Sequence, residues 1–113
     1  MENRMMSSST RVEKGATIVD VVGHIDMGSS PALRKTLLVS LQGTERVAVN
    51  LCAVKYIDSS GIASLLEVLR AARQSEKQMV LYGLTPAVLQ VLQLTRLTTV
   101  FDIYETEEQA LGA

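Results

Sequence analysis

The stretch from Arg46 to Arg73 constrains the fold most, because its hydrophobic period changes at one point. Residues 46–51, RVAVNL, alternate like a β-strand that is buried on one face or on both. After Gly61, apolar residues recur at i, i+3, i+4, i+7 and i+10, which is typical of an amphipathic helix. They are Ile62, Leu65, Leu66, Leu69 and Ala72. The stretch predicts a strand leading into a surface helix that packs on a sheet.

Turn signals divide the rest of the chain into further strands and helices. Gly15 separates a short strand near Thr10 to Glu13 from the run TIVDVVGHID, which predicts an antiparallel pair. QMVLYG and VFDIY predict two later strands, and ETEEQAL a short acidic helix. The order is ββαβαβαβα, so we expect an α/β fold in which helices cover a mixed β-sheet.

Two further helices begin with proline at the first helical position. In SPALRKTLLVSLQG, Ser30 is the expected cap before Pro31, and Gly43 is the natural stop. In TPAVLQVLQLT, Thr85 is the expected cap before Pro86. These signals set the predicted helix starts.

Length and composition predict a single domain. The chain has 113 residues, of which 47% are hydrophobic, which is enough for one compact core without metals or disulfides. Residues 1–8, rich in Ser and Met, show no period and predict a flexible tail, leaving 9–113 as the folded domain.

Charge and residue usage exclude several classes of function. The net charge of −1 offers no broad basic surface for nucleic acid or an anionic membrane. One cysteine, Cys52, and one histidine, His24, predict neither an internal disulfide nor a metal or cofactor site. The chain has no signal-peptide pattern and no apolar run of about eighteen residues, so we expect a soluble, cytoplasmic protein without membrane insertion.

The segment Asp58-Ser59-Ser60-Gly61 stands where the strand gives way to the helix. A helix has one N-cap position, which Asp58 or Ser59 could fill without help, so the Ser60 hydroxyl is spare. A phosphate on Ser60 would meet the free amides and the positive end of the helix dipole. It would add about −1.5 to −2 charges and could repel a partner without unfolding the protein.

Nucleophilic catalysis by Ser60 is the competing interpretation. It needs a base within reach, and His24 lies at the end of an earlier strand. The motif also lacks the G-x-S-x-G pattern of hydrolases. We therefore expect Ser60 to be a substrate for modification, and the protein not to be an enzyme.

Other polar residues have ordinary alternatives. Asp26 is either a turn acid or part of the surface near Ser60. Asn50 could donate a hydrogen bond to the loop carrying Ser60 or satisfy loop amides, and the structural role is favoured. The acidic residues 105, 107 and 108 predict a solvated helix, to which no site is assigned.

Three segments together resemble the STAS-domain anti-sigma factor antagonists, with the match running from about Thr10 to Leu111. VVGHIDMGSSPALRKTL is similar to the family's strand end and following helix, and VAVNLCAVKYIDSSGIASLLEVLRAAR to its central strand and helix start. MVLYGLTPAVLQVLQLTRLTTVFDIYETEEQAL continues in the family's manner. The resemblance implies that residues 9–113 form a STAS domain.

The resemblance also implies a partner-switching role in transcription regulation. An unphosphorylated antagonist binds an anti-sigma factor that is a serine kinase, phosphorylation at Ser60 ends that binding, and a PP2C-type phosphatase restores it. We expect a monomer or weak dimer. The residues implied at the partner surface are Asp26, Met27, Gly28, Asp58, Ser59, Ser60, Gly61 and Ile62.

A structural role is the main alternative. The same fold could serve as the STAS subunit of a lipid-transport ABC system or as the scaffold of a signalling complex, since a fold does not fix a function. A nucleotide-binding protein is less favoured, because the chain shows no Gly-rich phosphate loop.

Overall fold

A computed structural model of the chain describes residues 5–112, and it confirms the predicted order of strands and helices. The element bounds are β1 Ser7–Glu13, β2 Ala16–Ile25, α1 Ser30–Gln42, β3 Arg46–Ile57, α2 Ser59–Gln74, β4 Gln78–Tyr82, α3 Pro86–Leu94, β5 Asp102–Tyr104 and α4 Glu107–Gly112.

The five strands form one mixed sheet in the order β1-β2-β3-β4-β5. β1 and β2 are antiparallel, as a hairpin around Gly15 requires, and the other neighbours are parallel. Parallel neighbours need a crossover connection, which α1, α2 and α3 supply in turn. The predicted mixed sheet is therefore confirmed.

Helices cover both faces of the sheet. On one face, Val47, Val49 and Leu51 of β3 pack in the main core with apolar residues of α1, α2 and α3. On the other, Ala48 belongs to a smaller cluster that includes Ala110 of α4. β3 is thus buried on both faces along its first half, which explains its nearly continuous apolar sequence.

Two strands are longer than the sequence indicated. β1 already begins at Ser7, inside the predicted tail, because Ser7 and Ser8 pair with Val22 and Val21. Residues 1–4 of that tail lie outside the described part of the chain. β3 continues to Ile57, beyond the predicted strand. Register shifts against β2 interrupt the alternation of buried and exposed residues, so the sequence pattern did not predict the second half of β3.

The cap of α1 is Ser29, which corrects the prediction of Ser30. Ser30 is already helical and its side chain is buried. The Ser29 hydroxyl makes no capping bond to the helix. It donates to the carbonyl oxygen of His24 at 2.9 Å and accepts from the amide of Asp26 at 2.9 Å. The predicted Thr85 cap of α3 is confirmed, with Pro86 as the first helical residue.

Candidate functional site

The candidate site forms where β2 and β3 end side by side. Ile25 and Ile57 are register partners at the ends of these parallel strands, so the residues that follow, Asp26 and Asp58, leave the same edge of the sheet. The Asp58 amide donates to the carbonyl oxygen of Ile25 at 3.1 Å, which joins the two segments. The structure therefore brings together the loop 26–28 and the helix start 58–61.

Asp58 is the N-cap of α2. Its backbone is extended, and its carboxylate accepts from the amides of Ser60 at 2.9 Å and Gly61 at 3.2 Å. These amides are donors that the first turn of a helix cannot satisfy internally. Asp58 therefore fills the cap position that the sequence left open between Asp58 and Ser59.

The sequence suggested that the Ser60 hydroxyl is spare, and the structure corrects this. It donates to Oδ1 of Asp58, with Oγ and Oδ1 2.5 Å apart, so one carboxylate oxygen serves both the cap and the hydroxyl. Ser60 is half-buried, whereas Ser59, one residue earlier, is exposed. The two serines of the motif therefore differ in both exposure and hydrogen bonding.

Hydrogen bonds keep the Asp58 carboxylate ionised. Burial raises its pKa, but hydrogen bonds from the Ser60 hydroxyl and from the amides of Gly61, Ser60 and Met27 outweigh burial. The net effect is a pKa below the ordinary value of 3.8.

The loop 26–28 has its own local turn. The Asp26 carboxylate accepts from the amides of Gly28 at 3.0 Å and Ser29 at 3.1 Å, as a turn acid does. This contact leaves Met27 at the surface, with 79% of the residue exposed. Asp26 thus has the ordinary turn role and also lies beside the Ser60 motif.

Gly61 and Ile62 do not form the surface that the resemblance implied. A Cβ on Gly61 would lie 2.7 Å from Cγ2 of Ile25 and from Cγ1 of Ile57, so the missing side chain lets α2 begin directly against the strand ends. Ile62 is 5% exposed and belongs to the main core. Both residues pack the first turn of α2, which carries Ser60, against the core. The exposed residues of the site are Met27, Gly28 and Ser59.

Asn50 lies in another part of the molecule. Its side-chain amide donates to Asp20 at 2.7 Å, and its oxygen accepts from the Cys52 amide at 3.0 Å. Asn50 thus has a structural role, but its partners are Asp20 of β2 and an amide of β3 itself rather than the amides of a loop, and these contacts do not involve the Ser60 loop.

Sequence analysis missed a polar network on the sheet face that α4 covers. Arg11 of β1 donates to both carboxylate oxygens of Asp20 on β2, at 2.8 and 3.2 Å, and to Glu107 of α4. The hydroxyl of Tyr82 donates to Glu107 at 2.8 Å. Glu107 was expected to be solvated; the structure corrects this, and no local sequence signal connects it to Arg11.

The described residues offer few other features of functional interest. From Met5 to Gly112, no three His, Cys, Asp or Glu side chains are grouped closely enough to hold a metal ion. In the same range, every helix is too short or too polar to cross a membrane.

Comparisons with known proteins agree on one family. A family model described as STAS domain matches residues 7–110. An anti-sigma-B factor antagonist from Staphylococcus epidermidis is 31% identical over 91 residues, covering 80% of this chain and 84% of the relative.

Two solved structures are similar throughout. An anti-sigma factor antagonist from Mycobacterium paratuberculosis has a TM-score of 0.81 and 26% identity, covering 98% of this chain and 95% of the other. The Bacillus cell fate determinant SpoIIAA in its phosphorylated form has a TM-score of 0.71, covering 94% of this chain and 97% of the other. At 18% identity, the second likeness shows the shared fold.

Proposed function

Since the chain belongs to the STAS domain family, we propose that it is an anti-sigma factor antagonist controlled by phosphorylation. In its unphosphorylated form it binds an anti-sigma factor that is a serine kinase, in the cytoplasm, and so frees a sigma factor. Phosphorylation at Ser60 ends the binding, and a PP2C-type phosphatase restores it. The protein would thus be a regulator and a substrate, with no catalytic activity of its own.

The observation that carries this proposal is the position of the Ser60 hydroxyl. It lies on the first turn of α2, half-buried, beside the exposed loop that contains Met27. A kinase that docks on this loop would find the hydroxyl within the same contact area. The curated relatives that support the proposal are themselves named anti-sigma-B factor antagonists.

A phosphate on Ser60 would act on binding rather than on the fold. It would stand at the N-terminal end of a helix of 16 residues, where the dipole favours negative charge. It would also add about −1.5 to −2 charges next to the ionised Asp58. The Bacillus protein of the same fold, solved in its phosphorylated form, supports the view that the fold accommodates such a group.

The contacts of Ser60 support the role of substrate over that of nucleophile. Its hydroxyl proton points to the carboxylate of Asp58, whose lowered pKa makes it a weak base. A serine nucleophile needs a base that can accept its proton near neutral pH, which is usually an imidazole. His24 contacts the ring of Tyr56 instead, with the ring centroids 5.6 Å apart.

The test is to capture the kinase from extract of the source cells and measure its affinity for three variants. Ser60→Asp carries a negative charge at the acceptor position, so we expect it to lose kinase binding. Ser60→Ala should bind like wild type but take no phosphate at position 60. Ser59→Ala is the matched control, which should bind like wild type and be phosphorylated at Ser60. Unchanged affinity of Ser60→Asp would contradict the proposal and favour the structural STAS subunit.

A further inference from the structure

We propose that Asp58 is a positioning residue for phosphoryl transfer, which holds the Ser60 hydroxyl in one orientation and so selects Ser60 over Ser59 as the acceptor. This inference rests on the proposed function, because it concerns the same reaction. It assigns Asp58 a role in the chemistry beyond capping α2.

The geometry separates the two serines. The Ser60 hydroxyl donates to Oδ1 of Asp58, and that carboxylate is itself fixed by the amides of Ser60 and Gly61. A hydroxyl whose proton is engaged in this way has both oxygen lone pairs available in a fixed direction. Ser59 is exposed, and among residues 5–112 no side chain or backbone group holds its hydroxyl by a hydrogen bond. A reacting oxygen that is already oriented needs less ordering at the transition state.

The phosphoryl transfer needs no reactant other than the Ser60 hydroxyl and a nucleoside triphosphate held by the kinase. Oγ of Ser60 attacks the terminal phosphorus, the new oxygen–phosphorus bond forms, and the bond to the departing nucleoside diphosphate breaks. The hydroxyl proton leaves on the side of Asp58 and is released to solvent. Because the pKa of Asp58 is low despite its burial, the carboxylate orients the proton without retaining it.

Asp58→Ser separates capping from positioning. Serine is a good N-cap for the amides of the first turn, but its shorter side chain does not reach the Ser60 hydroxyl. Asp58→Asn is the matched control, since it keeps a capping oxygen at the same place, although as a weaker, neutral acceptor. Thermal unfolding of both variants establishes that α2 still forms.

The measurement is phosphorylation of each variant by the kinase with Mg-ATP, with each serine quantified by peptide mass spectrometry. For Asp58→Ser we expect kcat at Ser60 to fall roughly tenfold to a hundredfold, KM for the protein substrate to stay near wild type, and the Ser59 share to rise. Asp58→Asn should keep Ser60 as the acceptor with an intermediate kcat. A folded Asp58→Ser that retains wild-type kcat and takes no phosphate at Ser59 would overturn the inference.

A second measurement needs no kinase. The χ1 coupling constants of the two serines in solution report whether each side chain occupies one rotamer or several. We expect one rotamer for Ser60 and averaging for Ser59 in the wild type, and averaging for Ser60 in Asp58→Ser. If the unmodified Ser60 of the wild type averages over rotamers and the kinase still phosphorylates it, positioning by Asp58 is refuted but the proposed function stands. An ordered Ser60 that never takes phosphate refutes the proposed function, and the inference with it.

Discussion

Two polar clusters among residues 5–112 are built over different distances along the chain: one is centred on the carboxylate of Asp58, the other on the guanidinium of Arg11. The Asp58 carboxylate is bonded by residues two and three positions later, Ser60 and Gly61. Arg11 is bonded to Asp20, nine positions away, and to Glu107, 96 positions away. The first cluster therefore forms with its helix. In the second, the Arg11–Asp20 pair forms within the β1–β2 hairpin, and Glu107 joins it only when α4 docks on the sheet.

The two clusters also differ in how they hold negative charge. Asp58 is stabilised by a hydroxyl and by backbone amides. Asp20 and Glu107 share the guanidinium of Arg11 as an ion pair. The hydrogen-bond partners of Asp58 include no cation, so a phosphate added to Ser60 would place further negative charge there without a counter-charge among them. We conclude that the cluster near Ser60 is suited to a change of charge and the Arg11 network to holding the sheet and α4 together.

The largest expected effect comes from the packing that positions the first cluster. In Gly61→Ala, the new Cβ would lie 2.7 Å from side-chain atoms of both Ile25 and Ile57. Because α2 or the two buried isoleucine side chains must shift, we expect a loss of about 1–3 kcal/mol in the free energy of unfolding, measured by urea denaturation. Gly43→Ala is the matched control, since no atom lies within 4 Å of its Cβ position. Equal stabilities of the two variants would mean that Gly61 does not set the position of Ser60.

Local contacts explain which parts of the structure the sequence could predict. The Thr85 cap and the change from strand to helix around Gly61 depend on residues a few positions apart, and the structure confirms them. The cap of α2 was narrowed to Asp58 or Ser59, and the structure assigns it to Asp58. The Ser60 hydrogen bond was missed because capping rules assign oxygens to amides and say nothing about a neighbouring hydroxyl. The expectation of a spare hydroxyl was therefore wrong.

Long-range contacts explain what the sequence could not predict. Glu107 was expected to be solvated because its helix is acidic, yet its partner Arg11 lies at the other end of the chain. The second half of β3 was missed because register shifts against β2 expose consecutive residues, such as Lys55 and Tyr56. Both features follow from strand neighbours that only the folded sheet defines.

The second prediction addresses the Arg11 network. Arg11→Met would leave the carboxylates of Asp20 and Glu107 without their cation. Since the side chains of both acids are partly exposed, at 26% and 36%, water can partly replace Arg11. We therefore expect a loss of about 1 kcal/mol in the free energy of unfolding, with Ser60 phosphorylation unchanged.

Arg70→Met is the control for Arg11→Met, because Arg70 is also exposed and lies on α2, away from the network. A double-mutant cycle with Glu107→Gln isolates the coupling between Arg11 and Glu107. A coupling near zero would show that the network does not hold α4. A loss of Ser60 phosphorylation in Arg11→Met would show that the two clusters are not independent.

The smallest expected effect is a pH dependence that belongs to the Arg11 network. Hydrogen bonds from Arg11 lower the pKa values of Asp20 and Glu107 below their ordinary values of 3.8 and 4.5. A carboxylate with a lowered pKa in the folded protein contributes stability that is complete above its unfolded pKa. That stability is lost as the pH falls through its folded pKa. The stability advantage of wild type over Arg11→Met should therefore be constant at neutral pH and shrink in acid, beginning near the ordinary values.

Denaturation of both proteins from about pH 7 to about pH 3 tests this dependence, because the difference between them removes the contribution of all other carboxylates. The decrease should be smaller than the full effect of Arg11→Met, since a protonated carboxyl can still accept a hydrogen bond from the guanidinium. If the difference does not change with pH, Arg11 stabilises the sheet through packing of its aliphatic stem rather than through its charge. The contrast between a network held by charge pairing and a proposed phosphorylation site held by amides and a hydroxyl would then fail.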